Sequence, residues 1–244
     1  MLRGVLLLLG AGGMLWSLAV LPSFRLTTPA RAIAARIMED QRFGPGVLSD
    51  ALSRITDDFV PPIVQSELLH AEALIRLQKA EEAIKQRSPD EADREVEKAE
   101  SKLRASLSTS PNDSFLWLLL YSIEMTRNGF DTDRGSYLMQ SYTIGPYEGW
   151  ISLRRNRLAL AALPVLGGST QERVVAEFAA LVDSDLIEDA ALNLTTVGWV
   201  HRERLVAGLA GTDPTARESF AKRLSRDGVK IKMPGIETED RPWK

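Results

Sequence analysis

The sequence contains no cysteine. Disulfides, thiolate metal sites and thiol catalysis are therefore excluded, while the redox character of the compartment stays open. Histidine is nearly absent: only His70 and His201 occur. A zinc site would have to be built mostly from carboxylates, which zinc proteins rarely use alone, and no metal or other cofactor is expected. An excess of basic charge is also missing. Thirty Lys and Arg face 33 Asp and Glu, a net charge of -3, which argues against a nucleic-acid binder with a clustered basic face. The imbalance is equally too mild for an acidic disordered tail. From residue 30 onwards, alternating β-branched runs of useful length do not occur, so strands are not expected. What is present is enough apolar material, 44% of 244 residues, to build one or two packed domains.

One long uncharged run stands out. Gly4–Phe24 is dominated by Leu, Val, Ala and Gly and is bracketed by Arg3 and Arg25. A helix of about 20 apolar residues matches a hydrocarbon core of roughly 30 Å, so residues 1–25 are expected to be a transmembrane anchor in contact with a lipid bilayer. A cleaved secretory signal is the first alternative, with small residues around Thr28–Ala32. Against it, the leading segment is short and the apolar run long for such a signal. A nucleotide-binding start is the second alternative. Val5–Leu9 followed by Gly10-Ala-Gly12-Gly13 imitates a strand and phosphate loop, but the fingerprint G-x-G-x-x-G fails at Leu15 and no amphipathic helix follows. Counting arginines, with Arg25, Arg31 and Arg36 after the run, favours a cytoplasmic body. The short leader before an apolar run favours a periplasmic one, and a single-pass protein with its body outside the cytoplasm is the expectation taken here.

Beyond the run, periodicity is helical. Residues 26–62 read as short helices and linker. Ile33, Ile37 and Met38 share one face; Leu48, Leu52, Ile55 and Phe59 share another, and Pro61-Pro62 ends the second helix. A long helix over about 63–86 turns Leu68, Ala71, Leu74 or Ile75, Ala80 and Ile84 inward. Ser88-Pro89-Asp90-Glu91 reads as a capping box with a first-turn proline, opening a helix with Ala92, Val96, Ala99, Leu103 and Leu107 inside. Further helices are expected at about 114–127, 134–143, 147–163, 170–183, 185–195, 197–210 and 214–226. Ser169–Glu172 reads as a second box and Asp213-Pro214 as a cap with its proline. Residues 164–227 form C-terminal helices, and 228–244 an irregular tail.

The spacing repeats. Pro111 and Pro146 lie 35 residues apart, Trp117 and Trp150 lie 33 apart. Ala99, Leu103 and Ser106 precede Pro111 in a small-large-small order, followed by Trp117 and Leu120; Leu138, Ser141, Pro146, Trp150 and Leu153 repeat the pattern. Over about residues 63–163 this resembles a degenerate array of tetratricopeptide (TPR) repeats, whose period is 34 residues. The sequence departs from that family at Tyr121 and Arg154, where small residues belong, at Glu124 and Arg157, where tyrosine belongs, and at Arg134. The resemblance implies an all-α fold of antiparallel helix pairs stacked as a TPR-like α-solenoid, here behind a single transmembrane helix. It further implies a partner-binding groove lined by Phe115, Ser122, Thr126, Glu148 and Arg155.

Catalytic patterns are scarce. Neither histidine sits in a Ser-His-Asp order or a G-x-S-x-G elbow. Asp131-Thr-Asp133 and Asp183-Ser-Asp185 lack the ligand spacing of calcium loops and read instead as helix caps. Aromatic side chains gather between Phe115 and Trp150, either as helix–helix packing or as a peptide groove. The expectation is a membrane-anchored scaffold or adaptor that binds protein partners in a cell-envelope assembly such as polysaccharide synthesis or export, and not an enzyme. Two alternatives remain: a small accessory subunit of a membrane complex working through Gly4–Phe24, and a helical hydrolase using a glutamate such as Glu124 or Glu177.

Overall fold

The computed structural model describes residues 2–39, 41–56, 66–129, 135–146 and 148–236. Among them the chain is all-α, without a strand. The helices are α1 Leu2–Met38, α2 Val47–Thr56, α3 Ser66–Lys85, α4 Pro89–Thr109, α5 Ser114–Asn128, α6 Gly135–Ile144, α7 Gly149–Ala161, α8 Gly168–Asp183, α9 Ile187–Thr195, α10 Arg202–Gly208 and α11 Pro214–Arg226. They fall into two units, residues 1–112 and 113–244. Phe59, Pro61-Pro62, Asp131 to Arg134 and the tail from 237 onwards lie outside the described residues.

In the first unit, α3 and α4 form a helical hairpin against which α1 and α2 pack. Apolar spacing explains the pairing: Leu68, Ala71, Ile75, Ala99 and Leu103 are all buried. The alanines let the two backbones approach closely along the seam. A smaller cluster of Leu48, Ala51, Leu52 and Ile75 receives Ile33 and Ile37 from α1. Ile84, expected inward, is 61% exposed. It sits on the last turn of α3, where Ala80 and Ala83 take the buried side.

α1 is one continuous helix of 37 residues, about 55 Å long at 1.5 Å per residue. The apolar run and the first amphipathic segment, separate in the sequence reading, are a single rod. Leu8, Met14 and Trp16 are exposed, whereas Thr27, Ala30 and Ala34 are buried against the unit. Among the described residues no helix is long and apolar enough to cross a membrane; the side chains at 7, 19, 22–24 and 26 fall outside that description.

In the second unit, α5 pairs with α6, α7 with α8, and α9, α10 and α11 close on α8 and α9. Asp113 caps α5, its carboxylate accepting from Phe115 N at 3.0 Å and Leu116 N at 3.1 Å. Asp213 caps α11 as expected, accepting from Thr215 N and Ala216 N with Pro214 in the first turn. The two capping boxes do not form. Ser88 makes no side-chain cap bond; its N–H is taken by Ala83 O at the end of α3, and Glu91 reaches Lys79 at 3.5 Å instead. α8 starts earlier than expected, with Gly167 as its cap residue, so Ser169 is already inside the helix.

Among the described residues three helices end in a wrap that joins a left-handed residue to a bond from the sixth residue's N–H back to the first carbonyl. Ser88 N bonds Ala83 O, Leu186 N bonds Leu181 O, and Val229 N bonds Leu224 O. The residue in the left-handed conformation is Arg87 (φ 61°), Asp185 (φ 60°) and Gly228 (φ 77°) respectively.

Candidate functional site

Of the repeat-like positions, Ala99, Leu103, Ser106, Leu120, Leu138 and Ser141 are buried, while Trp117 and Leu153 are half-buried. Trp150 is 46% exposed and lies over the buried Phe115, ring centroids 4.9 Å apart. Trp117 stacks on Tyr137 at 5.9 Å.

Of the five groove residues, Phe115 and Arg155 are interior, Ser122 is half-buried, and Thr126 and Glu148 are exposed. The Thr126 hydroxyl is spent on Ser122 O at 2.9 Å. Glu148 precedes α7 without capping it through its side chain.

Arg155 is the focus of the second unit. It is completely buried on α7. Its Nε donates to Glu177 Oε1 at 2.9 Å and its Nη2 to the same oxygen at 2.6 Å. Nη1 donates to Ser141 O at 2.8 Å, and Nη2 to Gly145 O at 3.0 Å. Ser114, Ser141 and Ser152 hydroxyls complete the shell at 3.2–3.4 Å. The guanidinium also lies 4.2 Å from the Tyr142 ring centroid, a favourable cation–π placement. The Tyr142 hydroxyl donates to Glu177 Oε2 at 2.8 Å. One guanidinium thereby ties α5, α6, α7 and α8 together. Burial pushes the Glu177 carboxyl above its usual range, against the pull of Arg155 and of the Tyr142 and Ser152 hydroxyls. Burial, with the Glu177 charge beside it, raises the Tyr142 hydroxyl well above the usual tyrosine range.

A ladder of amides continues the stitching. Asn156 Nδ2 donates to Val174 O at 3.0 Å, and Asn193 Nδ2 to Asn156 Oδ1 at 3.3 Å, joining α7, α8 and α9. Gly145 has no room for a side chain: a Cβ there would meet Ser114 Oγ at 2.5 Å and Glu148 Oε1 at 2.6 Å.

The first unit has its own buried charges. Arg76 on α3 bonds Glu72 at 2.7 Å and Glu95 of α4 at 2.9 Å. Lys102 adds Glu72 at 2.9 Å, while Lys79 and Lys98 flank Glu95. Burial alone would raise the Glu95 carboxyl, but the Arg76 hydrogen bond and the charges of Lys79, Arg76 and Lys98 hold it below the usual range.

These clusters were missed in the sequence, although a signal exists. Arg155 occupies the apolar stripe Ile151, Arg155, Ala159, and Glu177 the stripe Val174, Glu177, Phe178, Leu181. Opposite charges within the inward stripes of consecutive helices imply a buried pair.

Elsewhere, Asp183 accepts from Asp213 N at 2.7 Å and Glu188 pairs with Arg223, so these acids serve the junctions of α8, α9 and α11. Among the described residues no group of three or more His, Asp or Glu is placed to hold a metal ion. An open cavity of about 510 Å³ lies between α10 and residues 230–235, lined by Val206, Ile231 and Met233 with Lys230 and Lys232. Comparison with models of protein families, with curated proteins and with solved structures finds no match to this chain.

Proposed function

We propose that the protein is a single-pass, membrane-anchored helical-repeat scaffold whose body, stacked as a TPR-like solenoid outside the cytoplasm, holds protein partners near the bilayer. The observation that carries this reading is the exposed half of α1. Leu2, Val5, Leu6, Leu8, Met14 and Leu18 are each more than half exposed, and at about 100° per residue their positions point to every side of the helix. A helix apolar all round is suited to lipid, which surrounds it, rather than to a single partner helix, which covers one stripe. The chemistry of the interior supports the scaffold half of the reading. Both oxygens of Glu177 are engaged, Oε1 by Arg155 and Oε2 by Tyr142, which speaks against its use as a glycosidase acid.

Alkaline carbonate extraction of membranes carrying the full chain tests the anchor. The chain is expected to stay in the pellet, and deletion of residues 4–24 to release it; release of the intact chain overturns the reading. A reporter fused at the C-terminus tests the side of the membrane. Photo-cross-linking from Thr126 and Glu148 in intact cells tests the adaptor role. A discrete protein adduct from at least one position is expected, and none from either counts against it.

A further inference from the structure

We infer that α1 is a stiff strut that fixes the first unit against the bilayer, with the Ser66/Ser106 end of its helical hairpin turned towards the phospholipid headgroups. This rests on Gly4–Phe24 being the bilayer segment and adds an orientation to it.

Three observations carry it. First, no break separates the apolar run from the packed segment, because both belong to α1. A flexible tether would let the body wander; a continuous helix transmits position and angle. Second, packing begins at once. Thr27 is buried and lies three residues beyond Phe24, about 4.5 Å along the axis. Gly4–Phe24 itself spans about 31 Å, close to the hydrocarbon thickness. Exposed Arg25 then falls at the edge, where a guanidinium meets headgroup phosphate. Third, the direction of the hairpin is set. Arg31 of α1 bonds Glu67 at the start of α3 at 3.0 Å, while Ile33 and Ile37 join the cluster around Ile75 two turns further on. α1 and α3 therefore advance in the same direction where they meet. Ser106 Oγ donates to Ser66 O at 3.1 Å, which puts the end of α4 beside the start of α3. The Ser66/Ser106 end lies nearest the bilayer, and the turn at 86–88 lies about 30 Å away, the length of a 20-residue helix.

Because the chain has no cysteine, a single cysteine takes one label. Ser108→Cys marks the near end and Gln86→Cys the far end; both positions are exposed. Each full-length variant carries an environment-sensitive fluorophore and is reconstituted in vesicles of phosphatidylcholine and phosphatidylglycerol doped with headgroup-spin-labelled lipid. Quenching at position 108 is expected to exceed that at 86 by at least about threefold, and a Gly-Ser-Gly-Ser insertion after Leu26 is expected to erase the difference. Equal quenching in chains that float with the vesicles overturns the strut while leaving the anchor standing. Chains that do not float overturn both.

Discussion

Arg155 Nη2 stands 2.6 Å from Glu177 Oε1, with the arginine wholly and the glutamate almost wholly shut away from water. Two charges so placed stabilise each other only as a pair, since removing either leaves an uncompensated buried ion. Arg155→Met is therefore expected to cost about 3–5 kcal/mol of stability in the second unit. The double variant Arg155→Met/Glu177→Met is expected to regain much of it. Urea unfolding of the full chain, followed by tryptophan fluorescence, measures both. A double variant no better than the single would mean that the pair is not the source of the loss. Lysine is not an adequate substitute, because Arg155 uses Nε, Nη1 and Nη2 on different partners and an ammonium cannot copy that fork.

Tyr121 predicts an effect of opposite sign. Its ring is buried, but its hydroxyl has no hydrogen-bond partner among the described residues. Desolvation drives that hydroxyl up to about 12. Removing an unsatisfied buried donor releases its desolvation penalty. Tyr121→Phe is expected to leave stability unchanged or raise it by up to about 1 kcal/mol; a loss in the same urea titration would reveal a missed partner.

At Gly145 the constraint is steric. A methyl group at this position would overlap Ser114 and Glu148, and the same residue's carbonyl accepts from Arg155. Gly145→Ala is expected to cost about 1–3 kcal/mol, the range for forced overpacking. Gly211→Ala, where a Cβ meets nothing within 4 Å, serves as the control in parallel thermal melts.

Acid acts on the two units with opposite sign. The folded Glu95 carboxyl lies below the ordinary glutamate value of about 4.5, so its contribution is present above that pH and lost as pH falls through the lower folded value. The folded Glu177 carboxyl lies above 4.5, so its contribution is full below that pH and lost as pH rises through the higher value. Acidification below 4.5 is expected to loosen α3–α4 before α7–α8. Hydrogen exchange, corrected for intrinsic rate, reads this helix by helix. Glu95→Gln should flatten the acid response of the first unit; an unchanged response would remove Glu95 as its cause.

Much of the helical framework was legible in the sequence because it follows from apolar spacing and punctuation. The stripes Leu68–Ala80 and Ala92–Leu107 and the cap at Asp213 required only local reasoning. What escaped depends on where neighbours sit. Ile84 fits its stripe, but α3's buried side at its end is taken by Ala80 and Ala83. Ser88 has the right neighbours for a capping box, but its N–H is already spent on closing α3. Arg155 was placed on a groove by repeat logic, whereas the serines and carbonyls that receive it come from three segments and converge only on folding. The shared fate of the apolar run and the helix after it was also hidden, because α1 runs through Pro22 and Pro29, residues that ordinarily interrupt a helix.

The corners at Arg87 and Asp185 have a practical corollary. A left-handed backbone costs a residue such as arginine on the order of 1–2 kcal/mol that glycine does not incur, and aspartate, which tolerates that region, less. The third corner of the same kind already uses glycine, at 228. Engineering Arg87→Gly and Asp185→Gly should thus harden the protein against heat without disturbing any core residue, and supply a sturdier background in which damaging substitutions elsewhere can still be purified and measured.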